Sequence, residues 1–304
     1  MNMLKVLITG ANGFIGANIF KLFSDRGYDV LAWDSSIALI ANDKIKEVDM
    51  SVYDNVMKML KNDKPDIIIH CAGSADVGKS VLYPNKDFQS NVEATHNLLF
   101  ALHNLGLNKV KVVFLSSAAV YGNPKYLPIK ESFDLHPLSP YALHKTMAES
   151  TCLHFANNYG MNVKIVRIFS AYGVGLKKQI FWDMYRKVIE TGKLTMLGSG
   201  EESRDYINVK DVIEAIYIVA TKASDEEKIY NVANGTEIKI RTVVERFAEC
   251  YGIDSKKIFF CGKVREGDPI NWNADISMLN KLGYTQSVDI LDGIREYVTW
   301  VKQL

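Results

Sequence analysis

The chain opens with the segment Leu4-Lys-Val-Leu-Ile-Thr-Gly-Ala-Asn-Gly-Phe-Ile-Gly-Ala-Asn-Ile-Phe20, from which its architecture can be predicted. The apolar run at its start predicts a buried strand, and the residues from Phe14 onward predict a helix. Gly10, Gly13 and Gly16 lie between them. A glycine turn at a helix N-terminus lets backbone N–H groups approach a pyrophosphate, whose charge the helix dipole stabilises. The segment therefore predicts a strand, a phosphate-binding turn and a helix.

Short Val/Ile-rich runs alternate with helical patterns as far as about residue 168. The predicted strands are 4–8, 29–33, 45–48, 66–71, 110–116 and 162–168. The predicted helices lie near 14–26, 53–62, 87–105 and 140–159. Such alternation is typical of a doubly wound parallel sheet with helices on both faces and ligands at the carboxyl ends of its strands. After Phe169 the pattern loosens into a smaller, mixed region.

Tyr141 and Lys145 stand four residues apart on the predicted helix 140–159, so both side chains face one site. A phenol has an ordinary pKa of about 10, but a nearby ammonium favours the phenolate, which can exchange a proton with a substrate hydroxyl. Ser117, at the end of the strand 110–116, supplies a second hydrogen bond. These three residues are the predicted catalytic set for taking a proton from an alcohol while a hydride leaves its carbon.

Further motifs extend along the chain in a recognisable order. They are His70-Cys-Ala-Gly73, Ser116-Ser-Ala-Ala-Val-Tyr-Gly122, Arg167-Ile-Phe-Ser-Ala-Tyr-Gly173, Gly198-Ser-Gly-Glu-Glu-Ser-Arg-Asp-Tyr-Ile-Asn-Val-Lys-Asp211, Tyr230-Asn-Val-Ala-Asn-Gly235 and Arg265-Glu-Gly-Asp268. With the glycine turn and the Tyr-Lys pair, they resemble the extended short-chain dehydrogenase/reductase superfamily over nearly the whole chain. Within that superfamily, they resemble the nucleotide-sugar epimerases, dehydratases and reductases.

The resemblance implies an α/β fold: a Rossmann-type doubly wound parallel sheet with a smaller mixed C-terminal substrate lobe. Residues 1–169 are expected to form the NAD-binding domain, with 206–222 returning to it as a strand end and a helix. Residues 170–304 are expected to form the substrate-binding lobe. Relatives of this fold pair through two long helices, so we expect a homodimer formed by the helices at 87–105 and 140–159.

The residue types and the resemblance together predict an NAD site. The expected cofactor-binding residues are Gly10, Asn12, Gly13, Phe14, Ile15, Gly16, Asp34, Asp49, Met50, Cys71, Ala72, Gly73, Asn91, Ser116, Tyr141, Lys145 and Phe169. Asp34 ends the second strand, where a carboxylate binds both adenosine ribose hydroxyls and repels a 2′-phosphate. NAD(H) is therefore favoured over NADP(H). The alternatives are a turn role for Asp34, helix capping for Asp49 or Ser51 and helix packing for Asn91.

A nucleoside-diphosphate sugar is the substrate that the resemblance implies. The expected substrate-binding residues are Ser74, Ser117, Ser170, Arg204, Arg265 and Asp268. Guanidinium groups bind diphosphate oxygens with two hydrogen bonds, which favours the two arginines. Ser170 stands where such enzymes often carry a diphosphate-binding Asn, so the bound nucleotide or sugar is open to change.

Ala118 and Ala119 restrict the chemistry. In the nucleotide-sugar 4,6-dehydratases the corresponding positions carry an acid and a base, and alanine moves no proton. We therefore predict an NAD-dependent nucleotide-sugar epimerase acting through a 4-keto intermediate, without a metal. The alternatives are a nucleotide-sugar 4-dehydrogenase or 4-keto reductase with net redox turnover and, from another class, a catalytically idle dinucleotide-binding regulator.

Composition narrows the remaining classes of partner and location. The net charge of +1 and the 23% of charged residues argue against a nucleic-acid or acidic-membrane surface. Four cysteines without metal or framework spacing are typical of reduced thiols in a cytoplasmic protein. No apolar stretch approaches the roughly 20 residues needed to span a bilayer, and Met1 runs almost directly into the first strand, so we expect neither a membrane span nor a signal peptide.

Overall fold

The computed structural model describes residues 3–36, 45–263 and 269–304. Its strands are β1 (Lys5–Thr9), β2 (Asp29–Asp34), β3 (Ile45–Glu47), β4 (Ile67–His70), β5 (Lys111–Ser117), β6 (Val163–Ile168), β7 (Ser170–Tyr172), β8 (Leu194–Met196), β9 (Ser203–Asn208), β10 (Ile229–Val232), β11 (Glu237–Lys239) and β12 (Ile258–Phe260). Its α-helices are α1 (Phe14–Asp25), α2 (Tyr53–Asp63), α3 (Val77–Leu82), α4 (Pro84–Phe88), α5 (Ala94–Asn104), α6 (Pro140–Tyr159), α7 (Gln179–Thr191), α8 (Val209–Lys222), α9 (Ile240–Tyr251), α10 (Ser277–Lys281) and α11 (Ile290–Val301).

Seven parallel strands of the described residues form the main sheet, in the order β10-β6-β5-β4-β1-β2-β3. β1 lies between β2 and β4, so the chain winds in opposite directions on the two sides of this point. The loops that follow β1 and β4 separate there and leave a crevice at the carboxyl ends of the strands. The predicted Rossmann-type doubly wound sheet is confirmed.

Alternate side chains of β1 enter two separate cores, because successive residues of a strand point to opposite faces. Val6 and Ile8 are fully buried on one face and pack in a cluster with α1 and α8. Leu7 is fully buried on the other face, in a cluster with α2, α5 and α6. The continuous apolar run of this strand therefore reflects a sheet that is covered by helices on both faces.

The smaller lobe has a core of its own, built on two short sheets. β11, β9 and β7 form one of them, and β12 and β8 form the other. Apolar side chains of α7, α9 and α11 pack together, with Tyr172, Phe181, Phe247 and Tyr297 among the most deeply buried. Because β7 follows β6 after a single residue, Phe169, the two lobes meet directly beside the crevice.

Two features of the sheets differ from the sequence expectation. The predicted strand end at 206 belongs to β9, which pairs with β7 and β11 in the smaller sheet, whereas α8 packs on the main sheet. The edge strand beside β6 is β10, from the segment that was assigned to the substrate lobe. Its run of four residues is too short to distinguish from a loop by periodicity. The division of the chain at residue 169 stays a prediction.

The helix predicted over 87–105 is interrupted. α4 ends at Phe88, a π-helical turn covers Gln89–Glu93, and α5 begins at Ala94. Asn91 lies in this wider turn and donates its side-chain amide to the Asp87 carbonyl oxygen at 3.1 Å. Single π-helical turns are frequent at functional sites.

Among the helices of the described ranges, none combines the length and apolarity needed to cross a bilayer.

Candidate active site

The glycine turn forms the floor of the crevice. Gly10 has a φ of +66°, and a Cβ at this position would lie 2.7 Å from the backbone nitrogen of Ala72. A Cβ at Gly16 would lie 2.2 Å from the Gly10 carbonyl oxygen, so α1 packs directly on the turn. Gly13 precedes α1, and no side chain caps this helix. Its first backbone N–H groups are therefore available to an anion.

Asp34 faces the same turn from the end of β2. Its carboxylate accepts the backbone N–H of Asn12 at 2.9 Å and that of Ser36 at 3.3 Å. The Asn12 side chain donates to the Ser36 carbonyl oxygen, while its own Oδ1 is buried without a partner among the described residues. The carboxylate thus stands beside the phosphate-binding turn, where a ribose would follow a bound pyrophosphate.

The structure brings Ser117, Tyr141 and Lys145 together. Ser139 caps α6 by accepting the Ala142 N–H at 3.2 Å, and Pro140 occupies the first helical position, so the helix begins one residue before the tyrosine. The Ser117 side chain lies close enough to the Tyr141 phenol to lower its pKa. Lys145 follows one turn later and is 5% exposed. The three predicted catalytic residues therefore lie at one site.

Lys145 is bound at two sides. Its Nζ donates to the Leu115 carbonyl oxygen at 2.9 Å and lies 4.8 Å from the centre of the Phe114 ring. A Cβ at Gly73 would lie 3.5 Å from this Nζ and 2.5 Å from Asn91 Oδ1, an oxygen that is buried without a partner among the described residues. Gly73, Asn91 and Lys145 therefore line one side of the crevice.

Burial controls the proton affinities of these groups. Burial raises the pKa of the Tyr141 phenol to about 12. Ser117 lowers this pKa in part, and the Asp87 charge adds to the rise. Burial lowers the pKa of Lys145 to about 8. Lys145 was expected to lower the phenol pKa, but it is not among the groups that shift it here. Ser117 is the residue with that effect.

Several predicted cofactor residues have side chains committed elsewhere. Asp49 is exposed, and its side chain accepts the N–H and the hydroxyl of Ser51, at 3.0 and 2.6 Å. The N-cap of α2 is Val52, so neither Asp49 nor Ser51 caps this helix. Met50 is buried in the core. Ser116 donates to Glu149 Oε1 at 2.5 Å on the far side of β5. Only the backbone of Ser116 remains as a contact for a cofactor.

The loop after β4 is positioned by a buried histidine. His70 bonds Thr9 Oγ1 at 2.7 Å and Thr95 Oγ1 at 3.0 Å, and burial lowers its pKa to about 3. A neutral histidine of this kind fixes the strand end rather than moving protons. Thr9 Oγ1 also accepts the Ala72 N–H at 3.2 Å, which holds the loop against the glycine turn. Burial raises the pKa of the Cys71 thiol to about 12.

The predicted substrate residues that the structure describes lie near the boundary of the two lobes. Ser74 donates its N–H to Ser90 Oγ at 3.3 Å beside the crevice. Ser170 is the first residue of β7, and Arg204 lies on β9 of the same small sheet. The Arg204 guanidinium lies 5.6 Å from the centre of the Trp272 ring, and its Nη1 donates to the Ser203 carbonyl oxygen at 2.7 Å. Phe169 is buried between the rings of Tyr121 and Trp272. Arg265 and Asp268 lie outside the described residues.

The comparisons with known proteins fit this geometry. The sequence profile of the NAD dependent epimerase/dehydratase family matches residues 6–233. The chain belongs to this family. The match covers the glycine turn, Asp34, Ser117, Tyr141 and Lys145. The predicted family, enzyme class and cofactor are therefore confirmed, and the protein is an NAD-dependent enzyme.

Relatives within the epimerase/dehydratase family match the chain end to end. A putative UDP-glucose 4-epimerase of Methanocaldococcus jannaschii is 30% identical, with 98% of each chain covered. A UDP-glucose 4-epimerase of Thermus thermophilus, solved with NAD, superposes with a TM-score of 0.88 at 26% identity, over 98% of this chain and 99% of the other. A UDP-N-acetylglucosamine 4-epimerase of Methanobrevibacter ruminantium, solved with UDP-N-acetylmuramic acid, gives 0.88 at 28% identity over all of both chains.

NAD, the cofactor of this family, fits the crevice of this chain. A side chain at Gly10 or Gly16 would collide with the backbone of Ala72 or of Gly10, so the turn keeps its shape only with glycine at both positions. The uncapped start of α1 offers N–H donors to that pyrophosphate. The buried, unpartnered oxygens of Asn12 and Asn91 lie at the two ends of the crevice and lack donors that a dinucleotide carries.

The local sequence signal did not reveal every group near the site. Asp87 and His144 are both buried and joined by a hydrogen bond of 2.7 Å, and the Asp87 charge acts on both Tyr141 and Lys145. Ser80 Oγ accepts the Tyr141 N–H at 3.1 Å. Ser80 and Asp87 come from α3 and α4, which lie far from α6 and its His144 in the chain. No motif spacing connects them.

Proposed function

We propose that this protein is a nucleotide-sugar 4-epimerase that works through a transient 4-keto sugar. The observation that carries the proposal is the placement of Ser117 beside the Tyr141 phenol, with the buried Lys145 one helical turn away, at the NAD crevice. Ala118 and Ala119 follow Ser117 and supply no acid or base for eliminating water. Oxidation and reduction at one carbinol carbon remain as the chemistry of this site.

The proposed mechanism uses the three side chains in sequence. Bound NAD supplies an acceptor for a hydride and a donor that returns it. Tyr141 takes the proton of the C4 hydroxyl as the hydride leaves C4, so the hydroxyl becomes a ketone. The Ser117 hydroxyl donates to the phenol oxygen and stabilises its negative charge. The keto sugar then rotates in the site and presents the other face of C4. Tyr141 returns the proton to the C4 oxygen while a hydride reaches this face of C4.

Lys145 is proposed to bind the nicotinamide ribose. Its Nζ lies against the Gly73 backbone and donates to Leu115, so the ammonium has a fixed direction. Its pKa of about 8 leaves it mostly charged near neutral pH. An ammonium fixed in this direction can donate hydrogen bonds to the ribose hydroxyls.

A UDP-linked hexose is the proposed substrate. The relatives named above carry UDP-sugar names or ligands, which supports this choice of nucleotide. Three residues are proposed to bind the nucleoside diphosphate, namely Arg204, Arg265 and Asp268. Ser170 is proposed to contact the diphosphate through its shorter side chain. Gly10 to Gly16, Asp34 and the loop Cys71–Gly73 are proposed to bind NAD.

A cytoplasmic homodimer is the proposed state of the protein. Apolar side chains lie exposed on the neighbouring helices α4, α5 and α6, namely Phe88, Phe100, Leu143, Met147 and Tyr159. Leu143 and Met147 are one turn apart, so they form part of a continuous face. A second copy would cover this face. All four cysteines are free, which fits a reducing compartment.

The assay that tests the function combines two measurements. The purified protein is incubated with UDP-glucose, UDP-N-acetylglucosamine and a GDP-hexose, with and without added NAD(H). Product configuration is read by NMR, and NADH by its absorbance. An inverted C4 centre without added cofactor and without net NADH is expected. Stoichiometric formation or use of NADH would instead identify a dehydrogenase or reductase, and no turnover with Tyr141 intact would favour a dinucleotide-binding regulator.

A further inference from the structure

A buried carboxylate lies behind the Tyr141–Lys145 pair and has no role in the mechanism above. Asp87 is 3% exposed on α4, and its Oδ2 accepts a hydrogen bond from His144 Nδ1 at 2.7 Å. His144 is 7% exposed and packs edge to face on Phe88 at 5.5 Å. Asp87 Oδ1 is buried without a hydrogen-bond partner among the described residues. A buried carboxylate is costly unless it is paired, so its position needs an explanation.

His144 stands on the same helix as the catalytic pair but on another face. Tyr141 and Lys145 point toward the crevice, whereas His144, between them in sequence, points toward α4. α3 also packs here, because Ser80 Oγ accepts the Tyr141 N–H at 3.1 Å. Hydrogen bonds thus join the first turns of α6 to α3 and to α4. The histidine fixes the Asp87 carboxylate against the part of α6 that carries Tyr141 and Lys145.

We propose that Asp87, held by His144, is a positioning residue that keeps the Lys145 ammonium charged inside the closed site and so sets the pH range of the Tyr141–Lys145 pair. The inference deepens the proposed function and rests on it for the roles of Tyr141 and Lys145. The Asp87 carboxylate attracts the ammonium and repels a phenolate. One buried charge therefore raises both proton affinities together.

The neighbouring groups leave Asp87 as the main source of this effect. The titratable groups that act on Lys145 are Asp87 from α4, Cys71 after β4, and Glu149 and Cys152 from α6; His70 on β4 faces it as a neutral ring. Asp87 is the strongest of them and opposes the desolvation of the ammonium. Glu149 is paired with Arg167 at 2.7 Å, and burial raises the pKa of both thiols, so they stay uncharged. The groups that act on Tyr141 are Ser117 and Asp87.

The direct test is a titration of Lys145 that uses no sugar. Protein carrying ¹³C-labelled lysine is saturated with NAD⁺ and followed by NMR across pH, and the Lys145 signal is assigned as the one missing from Lys145→Met. Asp87→Asn should move the Lys145 midpoint down by roughly one pH unit, the size of shift that a neighbouring charge produces. An unmoved midpoint would overturn the proposal. Because no substrate is used, this result is independent of whether the sugar assay succeeds.

Matched variants separate charge from damage to the fold. Asp63→Asn removes another buried carboxylate, one that accepts from Trp33 at 2.9 Å and pairs with Lys46 outside the crevice, and should leave the midpoint unchanged. His144→Gln retains a donor toward Asp87 and should also leave it unchanged. His144→Phe should move it in the direction of Asp87→Asn, because an unpaired buried carboxylate takes up a proton. An unmoved midpoint in His144→Phe would remove His144 from the proposal.

Kinetics give a second readout. The limb of the kcat pH profile that follows loss of the Lys145 proton should move to lower pH by roughly one unit in Asp87→Asn. A purely structural role would lower the whole profile and leave this limb where it is, which would contradict the proposal. If Asp87→Asn does not fold, Asp87→Ser supplies the same uncharged site with room for water, and the same shifts are expected.

Discussion

Lys145 Nζ donates a hydrogen bond to the carbonyl oxygen of Leu115, two residues before Ser117 on β5. The bond fixes the ammonium against the strand that ends at Ser117. The bond satisfies one N–H donor of the ammonium. The Leu115 carbonyl group has no net charge, so the bond does not pair the positive charge of Lys145 with a negative one. The charge is instead balanced at longer range by Asp87, and its burial lowers the lysine pKa to about 8. This environment gives Lys145 an effect on stability that depends on pH.

Lys145→Met should gain stability relative to the wild type most clearly below about pH 8. The folded-state pKa of about 8 lies under the ordinary value of 10.5, so between these values the folded protein binds fewer protons than the unfolded chain. The wild type therefore recovers stability as pH rises through this window, by roughly 3 kcal/mol in all. Chemical unfolding of both proteins at pH 7 and above pH 10 measures this. A difference that is constant across pH would contradict it.

Tyr141→Phe should lower turnover by at least about a hundredfold, because the phenol oxygen that exchanges the C4 proton is lost. NAD affinity should change little. Tyr284→Phe is the matched control, because it removes another buried phenol at a different site. The Tyr284 hydroxyl donates to Asn234 at 2.9 Å, and the variant should keep its activity. Steady-state assays with calorimetry of NAD binding decide the matter. A Tyr141→Phe variant that keeps most of its activity would remove Tyr141 from the mechanism.

Asp34→Asn should weaken NAD binding and narrow the preference over NADP. The amide lacks the charge that binds two ribose hydroxyls and repels a 2′-phosphate, and losing a charged hydrogen bond costs roughly 1.5–3 kcal/mol. The turn should survive, because Asn can still accept from Asn12. Asp29→Asn, at the exposed opposite end of β2, is the control. If the NAD affinity and the NADP affinity of Asp34→Asn are both the same as those of the wild type, Asp34 serves only to hold the turn.

Gly16→Ala should destabilise the protein and weaken NAD binding together. The new Cβ would lie 2.2 Å from the Gly10 carbonyl oxygen, so α1 must move off the turn that receives the pyrophosphate. Overpacking of this kind costs roughly 1–3 kcal/mol. Gly27→Ala is a useful comparison, since its φ is +79° but no atom lies within 4 Å of the new Cβ. Gly27→Ala should be strained without losing NAD affinity. If Gly16→Ala binds NAD as tightly as the wild type does, the turn is not the site that binds the pyrophosphate.

The sequence predicted those parts of the fold that depend on local pattern. The strand, glycine turn and helix at the N-terminus could be predicted because apolar runs and glycine spacing are local. Tyr141 and Lys145 could be paired because four residues make about one helical turn. The alternation of side chains along a strand also distinguishes Ser116 from Ser117. Adjacent residues of a strand face opposite sides, and Ser117 meets Tyr141 while Ser116 meets Glu149.

The rest depends on tertiary packing. Asp87 and His144 are 57 residues apart and meet only because α4 packs against α6. Neither belongs to a motif with a fixed spacing. The edge strand β10 is four residues long and is defined by its pairing with β6, which periodicity does not report. The interruption of the helix over 87–105 follows from side-chain bonds of Asn91 and Thr95 to the backbone one turn earlier.

The central claim is that the hydride taken from C4 returns to C4 of the same sugar. The measurement that tests it is turnover of UDP-glucose labelled with deuterium at C4, without added NAD, with the position of the label read by NMR and mass spectrometry. We predict UDP-galactose that retains the deuterium at C4, with no exchange with solvent and no net NADH. Loss of the label to added cofactor, accumulation of a keto sugar, or inversion without hydride transfer at C4 would contradict the account.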